Sequence, residues 1–177
     1  GVPAWLMFDA ATRTFSGTPA NADVGTFSVT VRATDLAGTF VEDQFDVVVV
    51  NTNDAPIAGD DGFNTTEDTI INIPANGILG NDHDIENDPL SVIVVSGPSH
   101  GQLTMNSDGS FSYLPDSNFN GTDSFSYQAN DGGLNSNVAT VAINVTAVND
   151  APGATSSSVF GRENVPFVFS INDFSFS

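Results

Sequence analysis

The residues whose type and spacing best suit a chemical role are carboxylates at alternate positions in one short polar loop. They are Asp82, Asp84 and Asp88. Alternate spacing lets several oxygens turn toward one point, which suits the six to eight oxygen ligands at about 2.4 Å that Ca²⁺ takes. Mg²⁺ demands stricter octahedral geometry, so a flexible protein cage favours calcium. The loop is not an EF-hand, because Asn87 and Ile93 stand where that motif has Gly and Glu. From this loop alone, a calcium site and a solvated acidic turn both stay open.

The charge balance favours a bound cation. The 177 residues include 22 acidic side chains but only three basic ones, Arg13, Arg32 and Arg162, for a net charge of -19. Internal ion pairs cannot offset self-repulsion of this size, whereas divalent cations can. Binding to nucleic acid or to anionic lipid needs Lys and Arg, so neither partner is expected. No stretch approaches the ~20 apolar residues of a membrane span, so direct membrane insertion is not expected either.

Residues that could perform catalysis are few. The chain has no cysteine and two histidines, and it has no Gly-x-Ser-x-Gly elbow, phosphate loop or dinucleotide fingerprint. His83 lies beside two acids, but one histidine is weak support for zinc. His100 lies in a Gly-Pro-Ser-His-Gly turn, where a backbone role is expected. Adjacent acids such as Asp60 and Asp61 diverge on a strand and do not form an acid/base couple, so the chain is predicted not to be an enzyme.

The elements that carry these loops are predicted to be β-strands. Apolar and polar residues alternate with period two in short segments separated by Gly, Asn, Asp and Pro. The apolar members of these segments are Phe27/Val29/Val31, Phe45/Val47/Val49, Leu103/Met105, Phe111/Tyr113, Phe125/Tyr127 and Val141/Ile143/Val145. At most Ala75 to Gly80 is expected to form a helical turn. With 40% hydrophobic residues, the chain has enough apolar surface to fold.

An internal repeat divides the chain. The run Asn53-Asp54-Ala55-Pro56 recurs 96 residues later at 149–152, close to the ~100 residues of an immunoglobulin-type sandwich. We therefore predict the C-terminal part of one repeat at 1–53, a complete repeat at 54–149 and the N-terminal part of a third at 150–177. The chain is expected to be a piece of a longer array. Alternatively, residues 151–177 of one copy donate strands to residues 1–53 of another.

Several motifs resemble cadherin sequences. The run 51–56 resembles the cadherin inter-domain linker, and Asp82-His83-Asp84 resembles the cadherin Asp-x-Asp pair. The runs 33–38 and 129–132 resemble the Ala-x-Asp-x-Gly segment of cadherin repeats, and 19–23 resembles the Pro-x-Asp-x-Glu loop with Asn for Asp and Asp for Glu. These likenesses imply calcium ligation at the junctions.

Two bacterial families are more similar still. Residues 3–19, with Asp54-Ala55-Pro56 further on, resemble a dystroglycan-type cadherin-like, Ig-like repeat. Residues 67–152 resemble the bacterial tandem cadherin-like repeat through Glu67-Asp68-Thr69, the run 78–82, the run 119–125 and others. The run 163–167 resembles the start of a further copy. The implied fold is all-β, with tandem Ig-like/cadherin-like β-sandwich repeats, one complete and two partial.

The resemblance implies two sets of calcium ligands. The first junction would use Asn21, Asp23, Asn51, Asn53, Asp54, Asp82, Asp84 and Asp131. The second junction would use Glu67, Asp116, Asn118, Asn149 and Asp150. Asp35 would face a junction before residue 1.

Such repeats occur in large secreted bacterial surface proteins, adhesins and biofilm factors, and in polysaccharide-degrading systems. The resemblance therefore implies an extracellular segment stiffened by Ca²⁺, whose partners are neighbouring repeats or other copies of the chain. The alternative is a carbohydrate-binding module that contacts glycans. That function needs exposed aromatic rings, for which Trp5 and Phe8 are the candidates. The content of 14 Phe and one Trp speaks mildly against it, and a lone Trp in this pattern more often fills a core.

Overall fold

A computed structural model describes residues 2–150, 154–155, 162–166, 168 and 175–176. Its regular structure confirms the predicted all-β class, since the described residues contain no α-helix and one 3₁₀ turn, Asn21–Asp23. Ala75 to Gly80, the segment of the expected helical turn, forms hydrogen-bonded turns instead of a helix. The chain divides into two compact units, Gly1–Asp54 (unit 1) and Ala55–Ser177 (unit 2). The further division at residues 149/150 stays a prediction.

Unit 1 consists of two antiparallel hairpins. Its strands are β1 (Met7–Asp9), β2 (Thr14–Ser16), β3 (Gly25–Thr34) and β4 (Phe40–Val49). β1 pairs with β2, and β3 pairs with β4 along their whole length. Val29 is fully buried on one face of the longer hairpin. The rings of Phe15 and Phe45 meet edge to face with centroids 5.6 Å apart, which joins the two hairpins.

Unit 2 is built around two sheets. Its strands are β5 (Asp61–Thr66), β6 (Ile71–Ile73), β7 (Ser91–Ser96), β8 (Gly101–Met105), β9 (Phe111–Pro115), β10 (Gly121–Asn130), β11 (Ala139–Thr146), β12 (Ala154–Thr155) and β13 (Ser175–Phe176). One sheet has the order β5-β11-β10-β7 and the other β6-β9-β8, while β12 pairs with β13. β5 runs parallel to β11, and the remaining pairs are antiparallel.

The core of unit 2 follows the predicted period-two pattern. Alternate residues of β11 are buried, and so are the corresponding residues of β9 and β10. The large buried side chains of these three strands are Phe111, Tyr113, Phe125, Tyr127, Val141, Ile143 and Val145. Phe111 contacts both Phe63 and Phe125 edge to face, with centroids 5.2 and 5.4 Å apart, and so joins the two sheets.

A buried carboxylate fixes the turn that precedes β8. Asp123 of β10 accepts hydrogen bonds from the backbone N–H groups of Ser99 and His100, both at 2.9 Å, and from the Tyr113 hydroxyl at 2.8 Å. These bonds hold the pKa of Asp123 below its ordinary value despite burial, which alone would raise it. The imidazole of His100 stacks on Phe119 with centroids 4.4 Å apart. His100 therefore has a structural role, as its position in the Gly-Pro-Ser-His-Gly turn predicts.

The packing of β11 gives the first testable prediction. Ile143→Ala should destabilise unit 2 by about 2–5 kcal/mol, because it leaves a cavity between two well-packed sheets. Thr140→Val, on the exposed face of the same strand, should change the unfolding free energy by less than about 0.5 kcal/mol. Both tyrosines lie in unit 2 and the single tryptophan in unit 1, so urea unfolding followed by tyrosine near-UV circular dichroism reports on unit 2. Equal effects of the two substitutions would contradict this packing.

Candidate functional site

The acidic loop after Asn81 is anchored to the segment that follows Asp54. Ile57 and His83 form an isolated antiparallel bridge, with backbone N–H to oxygen distances of 2.7 and 2.9 Å. The Asn81 amide also donates to the carbonyl of Asp60 at 3.0 Å. These bonds hold the loop beside residues 57–60. The backbone that carries the loop carboxylates is therefore fixed, unlike the backbone of a free solvated turn.

Asp84 is the most buried carboxylate of this loop, with 4% of its surface exposed. One carboxylate oxygen, Oδ1, accepts from the backbone N–H groups of Glu86 and Asp88, both at 3.0 Å. The other oxygen, Oδ2, is buried and has no hydrogen-bond partner. A buried acceptor without a partner costs roughly 1–3 kcal/mol, and more when it is charged. This oxygen is therefore suited to a cation.

Asp82 lies in a small group of oxygens around the Tyr127 hydroxyl. That hydroxyl lies 3.0 Å from Asp82 Oδ1, 3.2 Å from Asp61 Oδ2 and 2.7 Å from the carbonyl oxygen of Ile78. Asp82 also accepts from the backbone N–H of Gly59 at 2.9 Å. A hydroxyl has one proton to donate. Acceptors therefore outnumber donors here, and the group is left rich in negative charge.

This crowding shifts the acid–base behaviour of the group. Partial burial raises the pKa of Asp61 to about 6, against a lowering effect of the Tyr127 hydrogen bond, and the charges of Asp82 and Asp60 raise it further. Burial likewise raises the pKa of Asp82, although its bonds to Gly59 and Tyr127 oppose the change. Burial first, and the two carboxylates second, raise the pKa of the Tyr127 hydroxyl. Each shift reflects the cost of a charge that water solvates incompletely.

Asp131 closes the turn after β10. Its Oδ1 accepts from the backbone N–H groups of Gly133 and Leu134 at 2.6 and 2.7 Å. Asp35 has the same role in unit 1, where its Oδ1 accepts from Ala37 and Thr39 at 2.9 and 2.8 Å. The motifs predict that both aspartates are cadherin-like ligands, and each uses one oxygen to hold its own loop.

The predicted ligands of unit 1 are partly brought together. The Asn21 side-chain amide donates to Asp54 Oδ2. Asp23, in the same 3₁₀ turn as Asn21, accepts from the backbone N–H of Ala20 at 2.9 Å. Asn51 and Asn53 are exposed in the irregular segment after β4. The 3₁₀ turn of unit 1 therefore contacts the segment after β4 through Asn21 and Asp54.

The second predicted set lies at the other end of unit 2. Glu67, which is buried, accepts from the backbone N–H of Val148 at 2.5 Å and thus lies beside the segment that leads to Asn149. The neighbouring Asp68 accepts from the backbone N–H of Asn118 at 3.3 Å. Asp116, Asn149 and Asp150 are exposed. Of the predicted ligands, Asn21 and Asp54 meet directly. No group of three or more Asp, Glu or His side chains arranged to hold a metal occurs in the part of the chain that the structure describes.

Trp5 is partly buried and packs against a neighbouring strand. Its ring meets Phe27 edge to face with centroids 6.0 Å apart, and its indole nitrogen is buried. Gly17 leaves room for it, since a Cβ at that position would lie 2.0 Å from the Trp5 carbonyl oxygen. Trp5 is therefore not presented as a platform for a sugar ring.

Sequence reasoning missed Asp61 and Tyr127. The sequence identifies Asp61 only as one of two adjacent acids, and the two do diverge, since Asp60 instead accepts from the backbone N–H of Thr140 at 2.7 Å. A signal was present, because Asp61 has the same parity as Phe63 and therefore faces inward on β5. Its partner Tyr127 comes from a strand 66 residues later, and only the sheet topology joins them.

No helix in the described part of the chain is long and apolar enough to cross a membrane. A family model described as "Bacterial cadherin-like domain" matches residues 53–147, and one described as "Putative Ig domain" matches residues 1–50. The two matches confirm the tandem arrangement that the motifs predict. A search of curated protein sequences gives no match.

One of two similar solved structures supports the fold. The human mucin-like protocadherin EC1-2 superposes with a TM-score of 0.54 at 16% identity, and the match covers 83% of this chain and 80% of that one. An endo-fucoidan hydrolase of glycoside hydrolase family 107 is 27% identical with a TM-score of 0.43 over 84% of this chain. The chain spans only 23% of the length of that hydrolase.

Asp61 provides a prediction about pH. Because its folded pKa of about 6 lies above the ordinary value, its carboxyl destabilises the fold increasingly as the pH rises from about 4 to 6. Asp61→Asn should stabilise unit 2 in EGTA by on the order of 1 kcal/mol at pH 7, after allowance for solvent screening of a half-exposed group. The gain should vanish below about pH 4. Thermal melts of variant and parent across this range measure it, and a difference that does not change with pH would contradict the assignment.

Proposed function

This chain belongs to the bacterial cadherin-like domain family, and on that basis we propose that it is a calcium-stiffened adhesion or structural segment of a secreted bacterial surface protein. Ca²⁺ would bind the acidic loops at the ends of the repeats and neutralise their mutual repulsion. The chain would then act as a spacer or contact element with no catalytic activity. Its partners would be neighbouring repeats or other copies.

The observation that carries this proposal is the Oδ2 atom of Asp84, which is buried and without a hydrogen-bond partner. The other oxygen of the same carboxylate is fixed by two backbone N–H groups, so the side chain is already oriented. A hard divalent cation bound by oxygen is the ligand that best satisfies a charged oxygen in this setting. The donor set of the loop, carboxylates and amides without thiolate, fits calcium.

The cadherin-like motifs indicate which residues would supply the further ligands of that ion. Asp82 is the first candidate, because the oxygens around Tyr127 already outnumber the available protons. Asp131, Asp54, Asn21, Asp23, Asn51 and Asn53 complete the set proposed for the first junction. A second ion would use the set of Glu67, Asp116, Asn118, Asn149 and Asp150. When bound, each ion would supply positive charge that the three arginines cannot provide.

The proposed affinity is that of extracellular modules, with dissociation constants of about 10⁻⁴–10⁻³ M. Millimolar calcium would then fill each site partly to mostly and stabilise the fold by about 1 kcal/mol per site. Calcium would also stiffen the chain, because repulsion among the fixed carboxylates would otherwise act at every junction. The carbohydrate-binding alternative has less support, since Trp5 packs against Phe27 instead of facing outward.

Calcium should therefore raise the melting temperature of unit 2, and Asp84→Asn should remove most of that rise. Asp108→Asn is the matched control, because Asp108 caps an exposed turn through Ser110 at 3.0 Å and belongs to neither proposed set. It should shift the baseline melting temperature without changing the calcium-induced rise. Thermal melts in 5 mM CaCl₂ (about five to fifty times the expected dissociation constant) and in EGTA measure both. An equal rise in both variants would contradict ligation by Asp84.

Stiffening of the chain by calcium can be tested separately from calcium binding. Removal of calcium by EGTA should broaden the distribution of molecular dimensions, because junction carboxylates would repel one another without a bridging ion. Small-angle X-ray scattering of the chain with and without calcium, at about 0.15 M salt to screen long-range charge, measures the change. Identical scattering profiles would argue against stiffening even if calcium binds.

A further inference from the structure

The first and last strands of the two sheets in unit 2 lie side by side. The sheets are formed by β5 to β11, and β5 lies at the end of its sheet with β11 as its neighbour among the described strands. The two strands are parallel, with matched pairs from Asp61 opposite Val141 to Thr66 opposite Thr146. Because they are parallel, the chain enters β5 at one end of this ladder and leaves β11 at the other.

This arrangement determines how unit 2 responds to tension along the chain. A pull on the segment before β5 and on the segment after β11 slides the two strands past each other. The hydrogen bonds of the ladder run across the strands, so sliding loads all of them together. Antiparallel strands that are pulled at adjacent ends open one bond at a time instead.

Backbone bonds and the core support the ladder along its length. The Glu67 N–H donates to the Thr146 carbonyl at 3.0 Å, directly after β5. Successive residues of a strand turn their N–H groups to opposite sides, so Phe63 and Thr65 also point theirs toward β11. On the inner face, the Phe63 ring contacts Phe111 of the other sheet. The core therefore shields this side of the ladder from water.

Side chains fasten the end at which the chain enters. Asn137, just before β11, accepts from the Ala58 N–H at 3.0 Å and donates to the Ala58 carbonyl at 2.8 Å. Asp60 accepts from the Thr140 N–H at 2.7 Å. These bonds join the segment before β5 to β11 and its approach, and they extend the ladder beyond its backbone pairs.

Side chains also fasten the end at which the chain leaves. The Glu67 carboxylate, which is buried, accepts from the Val148 N–H. The Thr146 hydroxyl donates to the Thr65 carbonyl at 3.2 Å. A hydrogen bond to a charged group is stronger than a neutral one. Both points at which tension reaches the strands are therefore bonded by side chains as well as by the backbone.

We propose that unit 2 bears tension, and that the β5–β11 ladder with its side-chain bonds at both ends is the load-bearing element. Tension along the chain acts on this ladder in shear, so the unit resists unfolding until many bonds fail together. Resistance to force depends on the rate of unfolding and not on equilibrium stability alone. This function goes beyond the proposed calcium binding and does not depend on a bound ion.

Single-molecule force spectroscopy of the full chain, held by its two termini in EGTA, tests the ladder. Asn137→Ala removes both bonds to Ala58 and should raise the rate at which unit 2 unfolds under load by roughly tenfold (about 1.4 kcal/mol). Asn106→Ala is the matched control, because the Asn106 amide bonds Ser110 at 2.9 Å in the turn between β8 and β9, away from the loaded strands. It should leave that rate nearly unchanged. Equal changes from the two substitutions would overturn the proposal.

The direction of pulling provides a second test, because the chain contains no cysteine and one can be introduced as a handle. Handles on Asn120→Cys and on the C-terminus pull Gly121 away from Val145, its partner at one end of β10 and β11. These antiparallel strands should separate bond by bond, so unit 2 should unfold at a lower force than between the termini. An equal or higher force would overturn the proposal. Both tests are made in EGTA, so a failure of calcium binding would not alter either result.

Discussion

Hydrogen bonds from backbone N–H groups to aspartate oxygens hold the turns of this chain. Asp84, Asp123 and Asp131 each accept from at least two such groups. Charge-assisted bonds of this kind are stronger than neutral ones, and they need no lysine or arginine. They explain how a chain with so few cations can place acids in its loops and remain folded. Some strands depend directly on these turns, since the turn that Asp123 holds ends where β8 begins.

The same bonds determine what the acids have left to do. Where one carboxylate oxygen is fixed by the backbone, the side chain loses little further freedom when the other oxygen binds an ion. Asp84 is the extreme case, because its second oxygen is buried and has no partner. Asp61 and Asp82 are a different case, in which partial burial raises the pKa of both carboxylates although both accept from the Tyr127 hydroxyl. The oriented carboxylate of Asp84 and the partly buried pair of Asp61 and Asp82 both favour a bound cation.

The sequence predicts the fold well and the site only in part. Alternation of apolar residues is local, so the buried residues of β9, β10 and β11 follow from it directly. The linker and Asp-x-Asp motifs locate the acidic loops for the same reason. The contact between Asp61 and Tyr127 could not be predicted, because it depends on the parallel pairing of β5 with β11 across the whole unit. The packing of Trp5 against Phe27 agrees with the expectation that a lone Trp in this pattern fills a core.

The repeat also relates the two units to each other as sequences with a common plan. The pairing of β3 with β4 repeats that of β10 with β11, and in unit 2 β5 lies beside β11. The central claim, however, concerns the ion. A crystal structure of the chain grown in calcium, with anomalous diffraction data, tests it most directly. The account predicts an anomalous peak at about 2.4 Å from Asp84 Oδ2. An ordered carboxylate whose Oδ2 contacts only water or protein at saturating calcium would contradict it.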